Sequence, residues 1–305
     1  MSTEPFHPRG DLVADPTSGD EATVAIHRDP AAERAEEIAL LRRKVDGVSV
    51  FFAGPSNVVL QLAWPEVGYG VVESKVDSGK VTKHPFKRFR TTIGYLAIAL
   101  LGSDELRTAF RKAIDGQHRQ VRSTPDSPVK YNAFNRDLQL WVASCIYYGT
   151  VDIFTRMHGP LTAEEEAVVL RAGARIGTTL QVHPDDWHRT PDDFWAYWEE
   201  GLARCDIDDR VGSYLLSLMR VQILPAPIAR VAGPVNLWFN NGFLPPSIRD
   251  QLGLSWSATD QRRHDLFLRS LGRISRLAPH VVRAFPMNAM MWNLDIRRRL
   301  GKPMV

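Results

Sequence analysis

Helix-start punctuation recurs along this chain, while strand alternation is scarce. Ser103 is followed by Asp104 and Glu105: a hydroxyl able to accept an orphan backbone N–H, then two carboxylates at the positive end of a helix. Thr162 and Glu165 have the spacing of a capping box. Thr190-Pro191-Asp192-Asp193 combines a cap, a first-turn proline and two acids ahead of an aromatic helix that ends at Gly201. Ser257 and Asp260 open another helix, whose pattern runs to Pro279. Residues 71–76 (VVESKV) are a short strand candidate, and residues 223–231 (ILPAPIARV) are broken by prolines. Asn241-Gly242 marks a turn but joins no two alternating runs. No internal repeat and no glycine-rich loop after a strand is present, which disfavours Rossmann and P-loop folds. The pattern predicts an all-α, single-domain bundle of about ten helices around one core.

Composition bounds the function classes. The chain has 305 residues, 44% hydrophobic and 24% charged, enough to bury a core without disulfides or structural metals. Cys145 and Cys205 lie far apart in apolar stretches, as buried free thiols of a reducing compartment do. Residues 1–40 hold three arginines against nine acids, a net of −6, so the remainder carries +9. That excess is diffuse and no nucleic-acid motif accompanies it, so a nucleic-acid partner is not expected. Residues 1–30 are polar, acidic and rich in Pro, Gly and Asp, and are expected to be a disordered tail; residues 31–305 are expected to form the helical domain. The start has neither the basic nor the apolar part of a signal peptide, and the longest apolar run, residues 93–101, is about half of what a membrane helix needs. A cytoplasmic location is expected.

Residues 103–122 carry the most chemistry. Leu106, Phe110, Ala113, Ile114, Gln117 and Val121 fall on one helical face. His118, four after Ile114 and three before Val121, points with them and away from Arg111 and Lys112. A half-buried neutral imidazole is a good metal ligand when its other nitrogen has an acceptor. On the residues alone a core histidine bonded to a carbonyl is the commoner outcome, and both readings stand.

The surrounding residues carry a resemblance. Gly54-Pro55 is followed by Val72-Glu73-Ser74, an Arg-x-Arg-x-Thr run at residues 88–92, Gly102, His118-x-x-Val121-Arg122, Tyr131-x-Ala133, and Asp137 leading into Trp141-Val142. Residues 158–165 (HGPLTAEE) and 243–263 (FLPPSIRDQLGLSWSATDQRR) continue it. In the order and spacing of these motifs, from about residue 48 to 279, the chain resembles the oxygenase family of the mycophenolic-acid pathway enzyme MpaB and the rubber oxygenases called latex-clearing proteins. The resemblance implies a globin-like helical core binding haem b, with His118 as the proximal iron ligand. It implies Arg88 and Thr92 beside the haem, Glu73 as a base or substrate-side acid, and Arg122 near the haem edge or a propionate. Haem needs an apolar slot and cations at its rim. Tyr95, Leu96, Ile98, Trp141 and Tyr148 are candidates for the slot, and Arg88, Arg90 and Arg122 for the propionates. Plain core packing and surface ion pairing are the ordinary alternatives for these residues. The sequence departs from the family at Thr91, where some rubber oxygenases have an iron-capping lysine, and at Ser123, where a glycine is usual.

The implied activity is oxidation of an apolar, isoprenoid- or lipid-like molecule with O2, using an external electron donor. A non-enzymatic haem or lipid carrier, or a sensor, would use the same slot, and the direction Glu73 faces separates the two. A non-haem di-iron site is a third reading, because Asp115/His118 and Asp185/His188 share carboxylate-x-x-His spacing; Pro184 and Pro191 leave little room for a bundle helix around the second pair. His264 lies on an apolar face and reads as structural; His7, His27, His84, His158, His183, His188 and His280 sit in the tail, in loops or at helix ends. The basic, amphipathic residues 284–300 are expected to dock on the core, with self-association or a membrane contact as the other uses.

Overall fold

The computed structural model describes residues 29–74 and 85–305, so the predicted tail up to residue 28, His84 and the last two residues of the 71–76 strand candidate lie outside the described residues. Fourteen helices run through them: α1 (Pro30–Lys44), α2 (Ser49–Leu62), α3 (Pro65–Val72), α4 (Pro85–Leu101), α5 (Asp104–His118), α6 (Arg136–His158), α7 (Ala163–Thr179), α8 (Pro191–Ala203), α9 (Asp209–Met219), α10 (Ala226–Asn241), α11 (Pro246–Gln251), α12 (Ala258–Ser275), α13 (His280–Arg283) and α14 (Met287–Arg299). No strand occurs among the described residues, only an isolated antiparallel bridge between Arg122 and Asn132. The all-α expectation holds, and the strand candidate is corrected: Val71 and Val72 are the last turn of α3. The proline-broken residues 223–231 are not a strand either. Pro225 caps α10, with a fixed φ that suits a helix start.

The predicted caps form locally. Ser103 accepts from the Leu106 N–H, and Thr162, Thr190 and Ser257 each close a reciprocal capping box, with Glu165, Asp193 and Asp260. The longest helix, α6, is buried almost all round, as a helix through the middle of a bundle must be. It packs against α2, α7 and α12, while α4 lies between α7 and α14. At the α6–α12 crossing Gly272 meets the Met157 carbonyl, where a Cβ would stand 2.1 Å from the oxygen. Only glycine permits that approach. Gly94 of α4 likewise receives the fully buried Leu294 of α14. The C-terminal segment therefore docks on the core, as expected.

Inside the bundle the indoles of Trp64, Trp141 and Trp198 stack in sequence, with centroids 4.7 and 5.3 Å apart and planes within 3° and 16°, and Tyr148 continues the stack at 4.1 Å. The Arg204 guanidinium closes the other end, 3.6 Å over Trp64. Arg156 is buried between Asp152 (2.8 Å) and Asp265 (2.7 Å), which pairs the charges of three helix residues. Cys145 and Cys205 are free and buried, and burial pushes the Cys205 thiol up to about 12. Among the described residues no helix is long and apolar enough to cross a membrane.

Candidate functional site

His118 is the last residue of α5, on the apolar face formed by Leu106, Phe110 and Ile114, and is half-buried there. Its Nδ1 lies 2.8 Å from Oε1 of Gln181, in the turn after α7. Gln181 turns its Nε2 to Oδ1 of Asp115, at 2.5 Å. This chain determines the imidazole tautomer. An ionised carboxylate only accepts, so the amide nitrogen of Gln181 must face Asp115 and its oxygen must face His118. Nδ1 therefore carries the proton and donates it to Gln181, leaving Nε2 with the lone pair. Gln139 Nε2 is also near Nδ1, but at 3.4 Å, and it donates to the Ala133 carbonyl. Nε2 has no hydrogen-bond partner among the described residues. Burial lowers the His118 pKa, and the Arg88 charge adds to that, so the ring is held neutral. Phe134 stands edge-on to the ring at 6.3 Å.

Arg88 and Thr92, one turn apart on α4, share a face and are both exposed. Arg88 exposes surface and yet is enclosed closely enough that burial lowers its pKa. Its charge reaches His118 on α5 and Tyr214 on α9. Arg88 has no ion pair among the described residues. Thr91 back-bonds to the Lys87 carbonyl at 2.9 Å and offers nothing in place of the family's lysine.

The other predicted residues sit elsewhere. Glu73, at the end of α3, accepts from Ser127 Oγ (2.7 Å) and Tyr131 OH (3.1 Å) and pairs with Arg210 (3.1 Å). These donors hold its carboxyl below the usual range, the Ser127 hydroxyl most strongly. Through these bonds Glu73 ties the end of α3 to the segment after His118. Arg90, two residues from Arg88, is turned about 200° round the helix. It faces α14, where its buried Nε is unpartnered among the described residues and the neighbouring charge is another cation, Arg297. The structure therefore separates Arg90 from Arg88. Arg122 is exposed and donates to the Arg119 carbonyl at 3.1 Å. Trp141 has no exposed surface and both ring faces are covered by indoles, so it is a core residue with no face for a cofactor. Tyr148 belongs to the same stack, Tyr95 is buried with its hydroxyl on the Ile176 carbonyl, and Ile98 is fully buried; Leu96, one turn after Thr92, is partly buried. At Ser123 the loop needs no glycine: its N–H donates to the Tyr131 carbonyl, and its φ is not positive. Gln181 and Tyr214 escaped the sequence reading, since neither stands in a motif or at a telling spacing.

Three other histidines among the described residues have structural partners. His264 is fully buried among Trp238, Phe243 and Trp256, with Nε2 3.0 Å from the Phe239 carbonyl. His158 meets Asp46 at 2.9 Å. No group of three or more His, Cys, Asp or Glu side chains is arranged to hold a metal among the described residues, so no di-iron ligand set is assembled from them. His188 lies 3.0 Å from Ser144 Oγ and packs on Trp187, Phe194 and Tyr197; burial brings its pKa down from 6.5 to about 4. The unfolded chain therefore binds this proton first. The contribution of neutral His188 is complete above pH 6.5 and is lost as pH falls through about 4. The thermal midpoint is expected to fall between pH 7 and 4, and His188→Gln to flatten that fall. An unchanged slope in the variant would remove His188 from the account.

Residues 41–277 match the family described as ER-bound oxygenase mpaB/B'/Rubber oxygenase, catalytic domain. The chain is 45% identical over 250 residues to Uncharacterized protein Rv2237 of Mycobacterium tuberculosis and to Uncharacterized protein Mb2261 of Mycobacterium bovis, covering 82% of this chain and 98% of each relative. No solved structure matches. The chain belongs to the mpaB/rubber oxygenase catalytic-domain family, an oxygenase family of enzymes.

Proposed function

We propose that this protein is a haem b-dependent oxygenase acting with O2 on an apolar, isoprenoid- or lipid-like molecule, with electrons from an external donor. The observation that carries this reading is the Nε2 of His118, without a hydrogen-bond partner among the described residues, its tautomer set by the Asp115–Gln181 chain, within electrostatic reach of Arg88, which has no ion pair among those residues. The donor set fits the group: one neutral imidazole nitrogen with its lone pair free, and cationic and hydroxyl donors lacking partners among the described residues. His118 would hold the iron, and Arg88 with Thr92 would meet its oxygen or carboxylate partners. Bound haem b supplies the oxygen chemistry.

The chain's own residues do the rest. Gln181 holds the imidazole ring in orientation and keeps the proton on Nδ1. Arg88 brings a charge that does not titrate in the working range, together with several N–H donors, and Thr92 adds a rotatable hydroxyl one turn on. Glu73 fixes the segment carrying Ser127 and Tyr131, which supports the end of α5. Proton transfer is not assigned to it, because its carboxylate is turned to Ser127, Tyr131 and Arg210; the preference for an oxygenase over a carrier or sensor therefore rests on the family and not on Glu73.

Haemin titration into the purified protein tests the reading. The expected result is saturation at one haem per chain with a sharp Soret band, followed by O2 uptake with a reductant and an apolar isoprenoid. Absence of saturable binding would refute it, while binding without O2 uptake favours the carrier or sensor. Gln181→Leu removes the Nδ1 acceptor and is expected to weaken haem affinity by about 10–100-fold, measured by haem transfer to an excess of apomyoglobin. Wild-type transfer rates in this variant would contradict the tautomer chain and leave the ligand assignment standing.

A further inference from the structure

The connector from the end of α12 through α13 to α14 presents a continuous apolar surface. Ile274, Leu277, Val281, Val282, Phe285 and Trp292 are each 60–87% exposed, a concentration of large apolar side chains that solvated surfaces avoid. They adjoin one another. Successive turns link residues 274 to 285, through the Leu277 N–H on the Ile274 carbonyl and the Phe285 N–H on the Val282 carbonyl. Asn288 Nδ2 donates to the Val281 carbonyl at 2.8 Å, which brings the first turn of α14 against α13. Trp292 follows Asn288 by four residues, on the same side of the helix.

The charge around this surface has one sign. Residues 273–305 hold seven arginines and lysines against a single acid, Asp295. Arg298 and Arg299 pair with Asp295, and Arg283 pairs with Asp46. Arg273 and Arg276, which flank Ile274 and Leu277, have no ion pair among the described residues. Aromatic and aliphatic side chains bordered by uncompensated cations match the interface of a bilayer with anionic headgroups, where apolar tips enter the acyl boundary and the cations remain at headgroup level. A second copy of the chain is a poorer occupant, because a two-fold contact would set these cations against themselves.

We propose that the α12–α14 connector is a peripheral docking surface for an anionic lipid bilayer. Cosedimentation of the full chain with vesicles tests this. Binding to phosphatidylglycerol–phosphatidylcholine vesicles at low salt is expected to exceed binding to phosphatidylcholine alone by about tenfold or more and to weaken as salt rises. The double variant Phe285→Ser/Trp292→Ser changes only exposed side chains and is expected to lose about tenfold in partitioning. Arg273→Glu/Arg276→Glu is expected to weaken binding and reduce its salt dependence. No binding to anionic vesicles, or equal binding by the Phe285/Trp292 variant, would overturn the proposal. So would sedimentation velocity showing a dimer that the same variant dissociates, which would assign the surface to self-association.

Discussion

His118→Ala is expected to leave the helical far-UV spectrum unchanged and to lower haem affinity by more than about 100-fold, since outer partners of a ligand histidine alone account for about 10–100-fold. The fold is insensitive to this side chain because His118 is only half-buried at the last position of α5, while Leu106, Phe110 and Ile114 hold that helix to the core. Haemin titration and circular dichroism on the same sample check both halves. His118→Gly should behave alike and regain a Soret band on adding imidazole, which occupies the vacated position. A variant that binds haem as the wild type does would assign the iron to another residue.

Trp141→Ala is expected to cost about 3–5 kcal/mol of stability, the range for deleting a large buried aromatic side chain. The ring lies between Trp64 and Trp198, its Nε1 donates to the Gln61 carbonyl at 3.3 Å, and Gly201 packs against its edge so closely that a Cβ there would be 2.3 Å away. Its removal opens a cavity between helices that cannot close without separating the stack. Denaturant unfolding measures the loss. At temperatures where the variant remains folded, haem affinity should be close to wild type. A stable Trp141→Ala protein that had lost haem affinity would instead make the indole part of a cofactor wall.

The residues that were legible in the sequence are those whose chemistry is local. Ser103, Thr162, Thr190 and Ser257 satisfy backbone donors three residues away, so a short string suffices to find them. The extra helices are short ones at prolines: α3 begins at Pro65, α11 at Pro246 and α13 follows Pro279, where proline reads as a breaker and acts as a start. His118 was legible because its face was. Gln181 was not, since it joins His118 from 63 residues away in a turn without a pattern. Trp141 differs from its expected place for a related reason: an aromatic on an apolar helix face looks the same in sequence whether an indole or a macrocycle covers it, and here indoles do. Arg90 is different, because helical periodicity alone turns it away from Arg88.

Resonance Raman spectroscopy of the reduced, haem-loaded protein reaches the central claim directly. An iron–histidine stretching band that shifts when histidine is labelled with 15N, and that is absent from His118→Gly, is the expected result. A band that persists in that variant, or a wild type with no such band, would contradict coordination by His118 Nε2.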